Sequence, residues 1–266
     1  MGCASANTMN DMGESIEVTD ALNHTVEVPV NPERVGVFDY AQIDNMDALG
    51  LSDRIEVTAS GEMPSYLEKY EEVAVAGTLH EVDLEKTLSM QPELAIVASR
   101  SSASFDVLSE FIPTVDFSLT NHKTFESMAA NLNQLAQIFG KEEKAKQLLQ
   151  DLETRKEELM EAAQASEKTA LMVMYNGGSL SAFGPNSRFG HVYDDFGFTP
   201  VDENIEVSKH GMEISYEYIV RENPDIIFVL DRSSAIAETD LLEDTVKHFE
   251  ANPLIQTTKE FQEDGI

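Results

Sequence analysis

Two rhythms of apolar and polar positions run along this chain. Short runs that alternate, or that stay apolar throughout, predict strands, while stretches with apolar residues three and four apart predict helices. Residues 16–30 (IEVTDALNHTVEVPV) hold two alternating runs around Leu22-Asn23-His24, the pattern of a β-hairpin. A strand over 34–39 and a helix over 42–49 follow, the helix ended by Gly50. Strand and helix continue to alternate to about Thr120. The stretch 124–164 is the most helical: Leu132, Leu135, Ile138 and Phe139 keep helical spacing, and Gly140 breaks it. Residues 141–164 then contain no Gly or Pro, and their Glu/Lys pairs suit an exposed helix. At 1.5 Å per residue that helix reaches roughly 36 Å. A new strand over 168–175, followed by Gly177-Gly178, opens a second α/β region.

The pattern repeats. Residues 82–100 (VDLEKTLSMQPELAIVASR) and 214–232 (ISYEYIVRENPDIIFVLDR) align without a gap at an offset of 132. Glu85 falls on Glu217, Pro92 on Pro224, Glu93 on Asp225 and Arg100 on Arg232. Each copy reads as a short helix, a Pro-acid turn, an apolar strand and an arginine where the strand runs out. Proline disfavours helix in the residue before it, so Gln91 and Asn223 should end the two helices. LAIVA and IIFVL are unbroken apolar runs, as in parallel strands covered on both faces. Two such units imply two similar α/β lobes, each presenting one arginine at the carboxyl end of a strand, where open α/β sheets bind ligands.

Composition narrows the function. A chain of 266 residues that is 42% hydrophobic has room for two cores. No segment approaches the ~20 apolar residues of a membrane span. The formal charge of −31 opposes general-surface binding to nucleic acid or anionic lipid, and it makes the seven arginines conspicuous. The single cysteine, Cys3, excludes an internal disulfide framework. It stands in Met-Gly-Cys-Ala-Ser ahead of a small, polar stretch to about Ser15, which matches the acylated N-terminus of a processed bacterial lipoprotein behind an added Met. Ala6 breaks the N-myristoylation pattern.

Three arginines occupy loops: Arg100 and Arg232 at the paired strand ends, and Arg188 in Phe183-Gly-Pro-Asn-Ser-Arg-Phe-Gly190, where it is expected to open the next helix. Together they would form a receptor for a trianion built of planar, always-charged donors. Guanidinium cannot ligate iron, so it would neutralise the oxygens of a chelate without stripping its metal, and it stacks on aromatic rings such as catechols. His210, in Lys209-His-Gly211, has no second histidine at ligand spacing. No phosphate loop, Ser-His-Asp set, HExxH or GxSxG is present, which leaves catalysis without support and weakens a two-lobed nucleotide-sugar or nitrogenase-like enzyme.

These residues resemble the class III substrate-binding proteins of bacterial ABC importers, in the iron-siderophore group. The likeness is carried by Asn31-Pro-Glu-Arg-Val35, Phe38-Asp-Tyr40 with Asp47-Ala-Leu-Gly50, the strands ending in Arg100 and Arg232, the Arg188 segment and Lys209-His-Gly211, and it extends to Asn252-Pro-Leu254. It is nearest to the binding lipoproteins for ferric catecholates of petrobactin and enterobactin type. The resemblance implies two Rossmann-like lobes joined by one long helix: a tether over 1–15, lobes over 16–122 and 167–266, and a helical segment over 123–166. It implies an anionic ferric catecholate siderophore in the interlobe cleft, met by Arg100, Arg188 and Arg232, with Tyr40 lining the cleft and His210 a direct Fe(III) ligand where the siderophore leaves a site open. Glu85 and Glu217 would dock the two lobes on a permease dimer with its ATPase, and Cys3 would carry the lipid anchor. The protein would then be a monomeric, extracytoplasmic, non-enzymatic component without an intrinsic cofactor. Haem, cobalamin or a citrate-type ferric chelate remain alternative ligands, and a ligand-sensing subunit an alternative role. The family continues past a turn like Asp264-Gly265 into a further strand and a Trp-Tyr loop bearing a second iron ligand. Here the sequence stops first and has no Trp, so a truncated second lobe is expected.

Overall fold

A computed structural model describes residues 14–232, 247, 249 and 251–262, with the side chains of 260 and 262 left undescribed. Cys3 and the Asp264-Gly265 turn lie outside the described residues. The chain divides into two compact units. The first comprises the described part of Met1–Ser118 together with Ala130–Lys146, and the second Leu119–Ala129 with the described part of Gln147–Ile266. Two helices, α4 (Thr124–Phe139) and α5 (Glu142–Ser166), each begin in one unit and end in the other. Gly140, at φ +62, makes the break between them.

In the first unit the hairpin β1 (Ser15–Thr19) and β2 (Thr25–Pro29) precedes a five-stranded sheet. The sheet comprises β3 (Val35–Val37), β4 (Ile55–Ser60), β5 (Ala74–Thr78), β6 (Leu94–Val97) and β7 (Thr114–Asp116). Its order is β5-β4-β3-β6-β7 and every pairing is parallel. The order reverses between β3 and β6, so a crevice is expected beyond the carboxyl ends of those two strands. The whole of β3, β6 and β7 is buried, as the apolar runs of β3 and β6 require, and β7 carries the polar Thr114 and Asp116 into the interior. Helix α1 (Tyr40–Ala48) leaves the end of β3, and α2 (Leu84–Ser89) and α3 (Phe105–Ser109) flank β6 in the chain.

The second unit is built on β8 (Thr169–Asn176), which turns through Gly177-Gly178 into the antiparallel β9 (Ser179–Phe183). Helix α6 (His191–Asp194) leads to β10 (Thr199–Pro200), and β11 (Met212–Ile214) pairs with β9. Helix α7 (Tyr216–Glu222) leads to β12 (Ile226–Asp231), which lies parallel to β8 along one edge, while β9 and β10 share the other edge. β12 is only partly buried, and β8 is its one partner strand among the described residues.

The sequence repeat is reproduced in backbone detail. Gln91 and Asn223, each before its proline, both adopt the left-handed conformation, at φ +52 and +48, and stop α2 and α7. The acid after each proline then clasps the start of the neighbouring strand. Glu93 donates its N–H to the Arg34 carbonyl (2.8 Å), and its carboxylate accepts from the N–H groups of Glu33 (2.6 Å) and Arg34 (3.2 Å). Asp225 donates to the Thr169 carbonyl (3.0 Å), and its carboxylate accepts the Thr169 N–H and hydroxyl, both at 2.9 Å. These donors hold the Asp225 carboxyl below the usual aspartate range, the Thr169 N–H most strongly.

Candidate ligand-binding site

The carboxyl ends of β3 and β6 bring Asp39-Tyr40 and Ser99-Arg100 to the switch point of the first sheet. Ser99 is left-handed (φ +52), and serines pin the turn that carries Arg100. Ser99 donates its N–H to the Ser118 hydroxyl (2.7 Å), Ala98 donates to the Ser101 hydroxyl (3.0 Å), and Ser102 and Ser118 share a bond of 3.0 Å. Arg100 projects from a braced loop and is exposed. Tyr40 is half-buried; its hydroxyl donates to the Ala59 carbonyl at the end of β4 (3.2 Å), and burial raises its pKa.

In the second unit Arg188 sits in a turn closed from both sides. The Ser187 hydroxyl donates to the Gly184 carbonyl (2.6 Å), and Asn186, left-handed at φ +61, donates its N–H to Asp194 on α6 (2.8 Å). The helix therefore opens at His191 and not at Arg188 as its sequence suggested, because these local bonds hold the intervening residues as a turn. The Arg188 guanidinium lies 5.0 Å over the Phe189 ring, which meets Phe183 edge-on at 4.8 Å.

His210 reaches the same place from another strand. Met212 on β11 pairs with Ala182 on β9, which sets the turn before β11 beside Phe183. Gly211 has φ +79, and a Cβ there would stand 2.8 Å from the Phe183 ring and 2.9 Å from the Ala182 carbonyl. Only glycine lets the His210 turn close on Phe183. The turns that carry His210 and Arg188 thus both close on Phe183, the first directly and the second through Phe189, and both side chains are exposed. Arg232 lies further off. Asp231 pairs with Tyr175 and Phe183 with Met172, so three rows of β8, about 10 Å, separate the ends of β12 and β9 along the strand direction. A shallow cavity of about 390 Å³ lies at the Arg232 end of this sheet, lined by Tyr175, Gly178, Tyr216, Ala251 and Asn252, none of them expected from the sequence as a ligand contact.

Charge separates these arginines from others. Arg34, Arg54 and Arg221 pair with Glu93, Asp53 and Glu222. Arg100, Arg188 and Arg232 have no carboxylate within 4 Å among the described residues, nor has Arg155 on α5. Among the described residues no three His, Cys, Asp or Glu side chains could hold a metal ion, so His210 alone could supply at most one ligand to iron carried by a chelate. Glu85 and Glu217 stand exposed in the first turns of α2 and α7, capped by Asp83 and Ser215. The Ser215 hydroxyl holds the Glu217 carboxyl below its ordinary range.

The periplasmic binding protein family model matches residues 35–263. The chain belongs to the periplasmic binding protein family. Within that family it is 37% identical to the petrobactin-binding protein YclQ of Bacillus subtilis, over 88% of this chain and 75% of that one. The crystal structure of YclQ matches with a TM-score of 0.88, covering 94% of this chain and 88% of that chain. The ferric-anguibactin-binding protein FatB of Vibrio anguillarum is 28% identical, over 97% of this chain and 82% of that one. The periplasmic catecholate-siderophore-binding protein VctP of Vibrio cholerae matches with a TM-score of 0.87 at 28% identity, covering 95% of this chain and 90% of that chain. The periplasmic binding protein fold expected from the sequence is the fold observed, and these relatives are siderophore-binding proteins. No helix among the described residues is long and apolar enough to cross a membrane.

Proposed function

We propose that this protein is the extracytoplasmic binding component of an ABC importer and that it captures an anionic ferric catecholate siderophore. The observation that carries this reading is the state of Arg100, Arg188 and Arg232. In a chain of net charge −31, three guanidiniums that have no carboxylate partner among the described residues suit an anion from outside. The named ligands of YclQ, FatB and VctP support the siderophore class. Arg188, stacked over Phe189, favours an aromatic chelator. His210 supplies a ligand to Fe(III) where the siderophore leaves one site open, and Tyr40, just beyond the end of β3, adds a further ligand contact. The protein needs no cofactor of its own and performs no chemistry. Glu85 and Glu217 dock the loaded protein on a permease dimer and its ATPase, and Cys3 carries a lipid that holds the chain at the membrane.

Side-by-side titrations with ferric tris-catecholate and a neutral ferric hydroxamate test this reading. Tight catecholate binding is expected, weakened at least ~30-fold in Arg100→Ala or Arg188→Ala, since an anion loses a charge-assisted contact of about 2 kcal/mol or more. Equal affinity for the hydroxamate would refute the arginine receptor.

A further inference from the structure

The cavity at the end of the second sheet lies apart from the turns of Arg188 and His210. Side chains alternate between the two faces of β8. Tyr175 packs with Leu171 and Val173 on one face, whereas Phe183, paired with Met172, packs with Met172 and Val192 on the other. The cavity therefore belongs to the face away from Phe183, and it lies three rows further along β8. Its neighbour is Glu217. Tyr216 and Glu217 are the first two residues of α7; the ring of Tyr216 is half-buried in the cavity wall, and the carboxylate of Glu217 is exposed. Glu213, on β11 just before the helix, is exposed as well. The hydroxyls of Tyr40, Tyr70 and Tyr218 donate to the Ala59 carbonyl, Asp47 and Asp202. Those of Tyr175 and Tyr216 have no hydrogen-bond partner among the described residues. Two ring faces, two available phenol oxygens and an adjacent carboxylate make a receptor for a planar cation that donates N–H groups. The same helix shows this pairing internally, with the Arg221 guanidinium 4.9 Å from the centre of the Tyr218 ring.

We infer that this cavity receives one arginine side chain from an extracytoplasmic loop of the permease, its guanidinium set against Tyr175 and Tyr216 and paired with Glu217. The inference rests on the reading of Glu217 as a docking residue and names what holds the partner there. Charge complementarity selects the occupant: a chain of net charge −31 repels an acidic segment, and a lysine offers neither a planar face for the rings nor a fork of donors for the oxygens. Size agrees, since about 390 Å³ falls at the lower end of ligand-sized clefts and suits a single long side chain. The repeat makes the surface one-sided. At the offset of 132, Tyr216 and Tyr218 fall on Leu84 and Lys86. Glu85 is thus flanked by an aliphatic residue and a cation, where Glu217 is flanked by two tyrosines. The second unit therefore makes the stronger of the two contacts with the permease.

The test is binding of the full chain to its permease–ATPase complex in nanodiscs, followed by interferometry, with ferric tris-catecholate titrated into each variant in solution. Tyr216→Ala removes one wall, and Ala251→Phe fills the cavity from an exposed position. Each should weaken permease binding at least about tenfold while leaving ferric tris-catecholate affinity within about twofold. Tyr216→Phe keeps the ring face and should retain most of the binding, and Leu84→Ala, its counterpart in the first unit, should cost less than about threefold. Joined to Glu217→Gln, Tyr216→Ala should cost less than the product of the two single effects, because both residues hold one guanidinium. Replacing the loop arginines of the permease by lysine, one at a time, should reproduce the loss at a single position. Unchanged permease binding in Tyr216→Ala and Ala251→Phe, with Glu217→Gln impaired, would overturn the inference and leave the docking reading intact. An equal loss of ferric tris-catecholate affinity would overturn it too, by giving the cavity to the siderophore. Unchanged binding in Glu217→Gln as well would overturn both.

Discussion

If the acid of each Pro-acid turn clasps its unit, removing it should loosen that unit alone. In Asp225→Ala the Thr169 N–H and hydroxyl, both at 2.9 Å, lose a carboxylate acceptor, and Lys259 loses a partner at 3.4 Å. Hydrogen bonds to charged groups contribute about 1.5–3 kcal/mol each, and the exposed lysine pair less than ~1 kcal/mol. Thr169 is half-buried, so water replaces part of the loss, and a net cost of about 2–3 kcal/mol is expected. Urea unfolding followed by far-ultraviolet circular dichroism suits a chain without tryptophan. The midpoint should fall by about 1 M at typical slopes. Glu93→Ala should cost less, about 1–2 kcal/mol, since that carboxylate is more exposed, and should act on the first unit. If the units unfold in separate transitions, each variant moves a different one. The pH dependence follows from the lowered carboxyl of Asp225: its stabilisation is complete above the unfolded value near ~3.9 and fades as pH falls through the folded one. The gap between wild type and Asp225→Ala should therefore stay constant above about pH 5 and narrow only below about pH 4. A loss under ~0.5 kcal/mol, or a gap that narrows between pH 5 and 8, would refute the clasp.

Other substitutions probe the remaining supports. Asp20→Ala strips an acceptor from the N–H groups of Leu22, His24 and Asp116 and should cost about 3–5 kcal/mol by urea unfolding, loosening the first hairpin from β7. Tyr193→Phe leaves the Met172 N–H without the hydroxyl oxygen it donates to at 2.8 Å, for a loss of about 1–3 kcal/mol. The same variant should remove, from an absorbance titration, a phenol that burial has pushed up to about 12. Gly211→Ala forces a Cβ against Phe183 at φ +79 and should lower both stability, by about 1–3 kcal/mol, and affinity for ferric tris-catecholate. Charge reversal at Glu85 and Glu217 should abolish uptake in cells while leaving solution affinity unchanged; retained uptake would remove these residues from docking.

Legibility in the sequence followed the range of the forces involved. The repeat was visible because Pro92 and Pro224 act on the residue before them, and Gln91 and Asn223 end their helices as that local rule demands. β6 was readable from its apolar run because it is buried on both sides, but the equally apolar β12 is only partly buried among the described residues. Arg188 was found as a residue but misplaced in its element, since the bond from Asn186 to Asp194 spans the segment and leaves no local mark. The turns of Arg188 and His210 meet at Phe183 through β9–β11 pairing, which no spacing in the chain reveals, although Gly211 hints at a close approach.

The passage of α4 and α5 through both units also sets when each unit can exist. The first unit takes Leu132, Leu135 and Ile138, all buried, from the far half of α4, and the Asn131 amide donates to the Phe117 carbonyl (2.7 Å) at the end of β7. During synthesis its sheet is therefore complete at Asp116 but its core is not, until some thirty further residues have emerged. A chain cut at Ser118 would carry every strand of that sheet and still lack a wall. Dividing the protein into separately expressed halves at the sheet boundary should give an unstable first fragment, whereas a fragment extended through Lys146 retains the segment that closes the core.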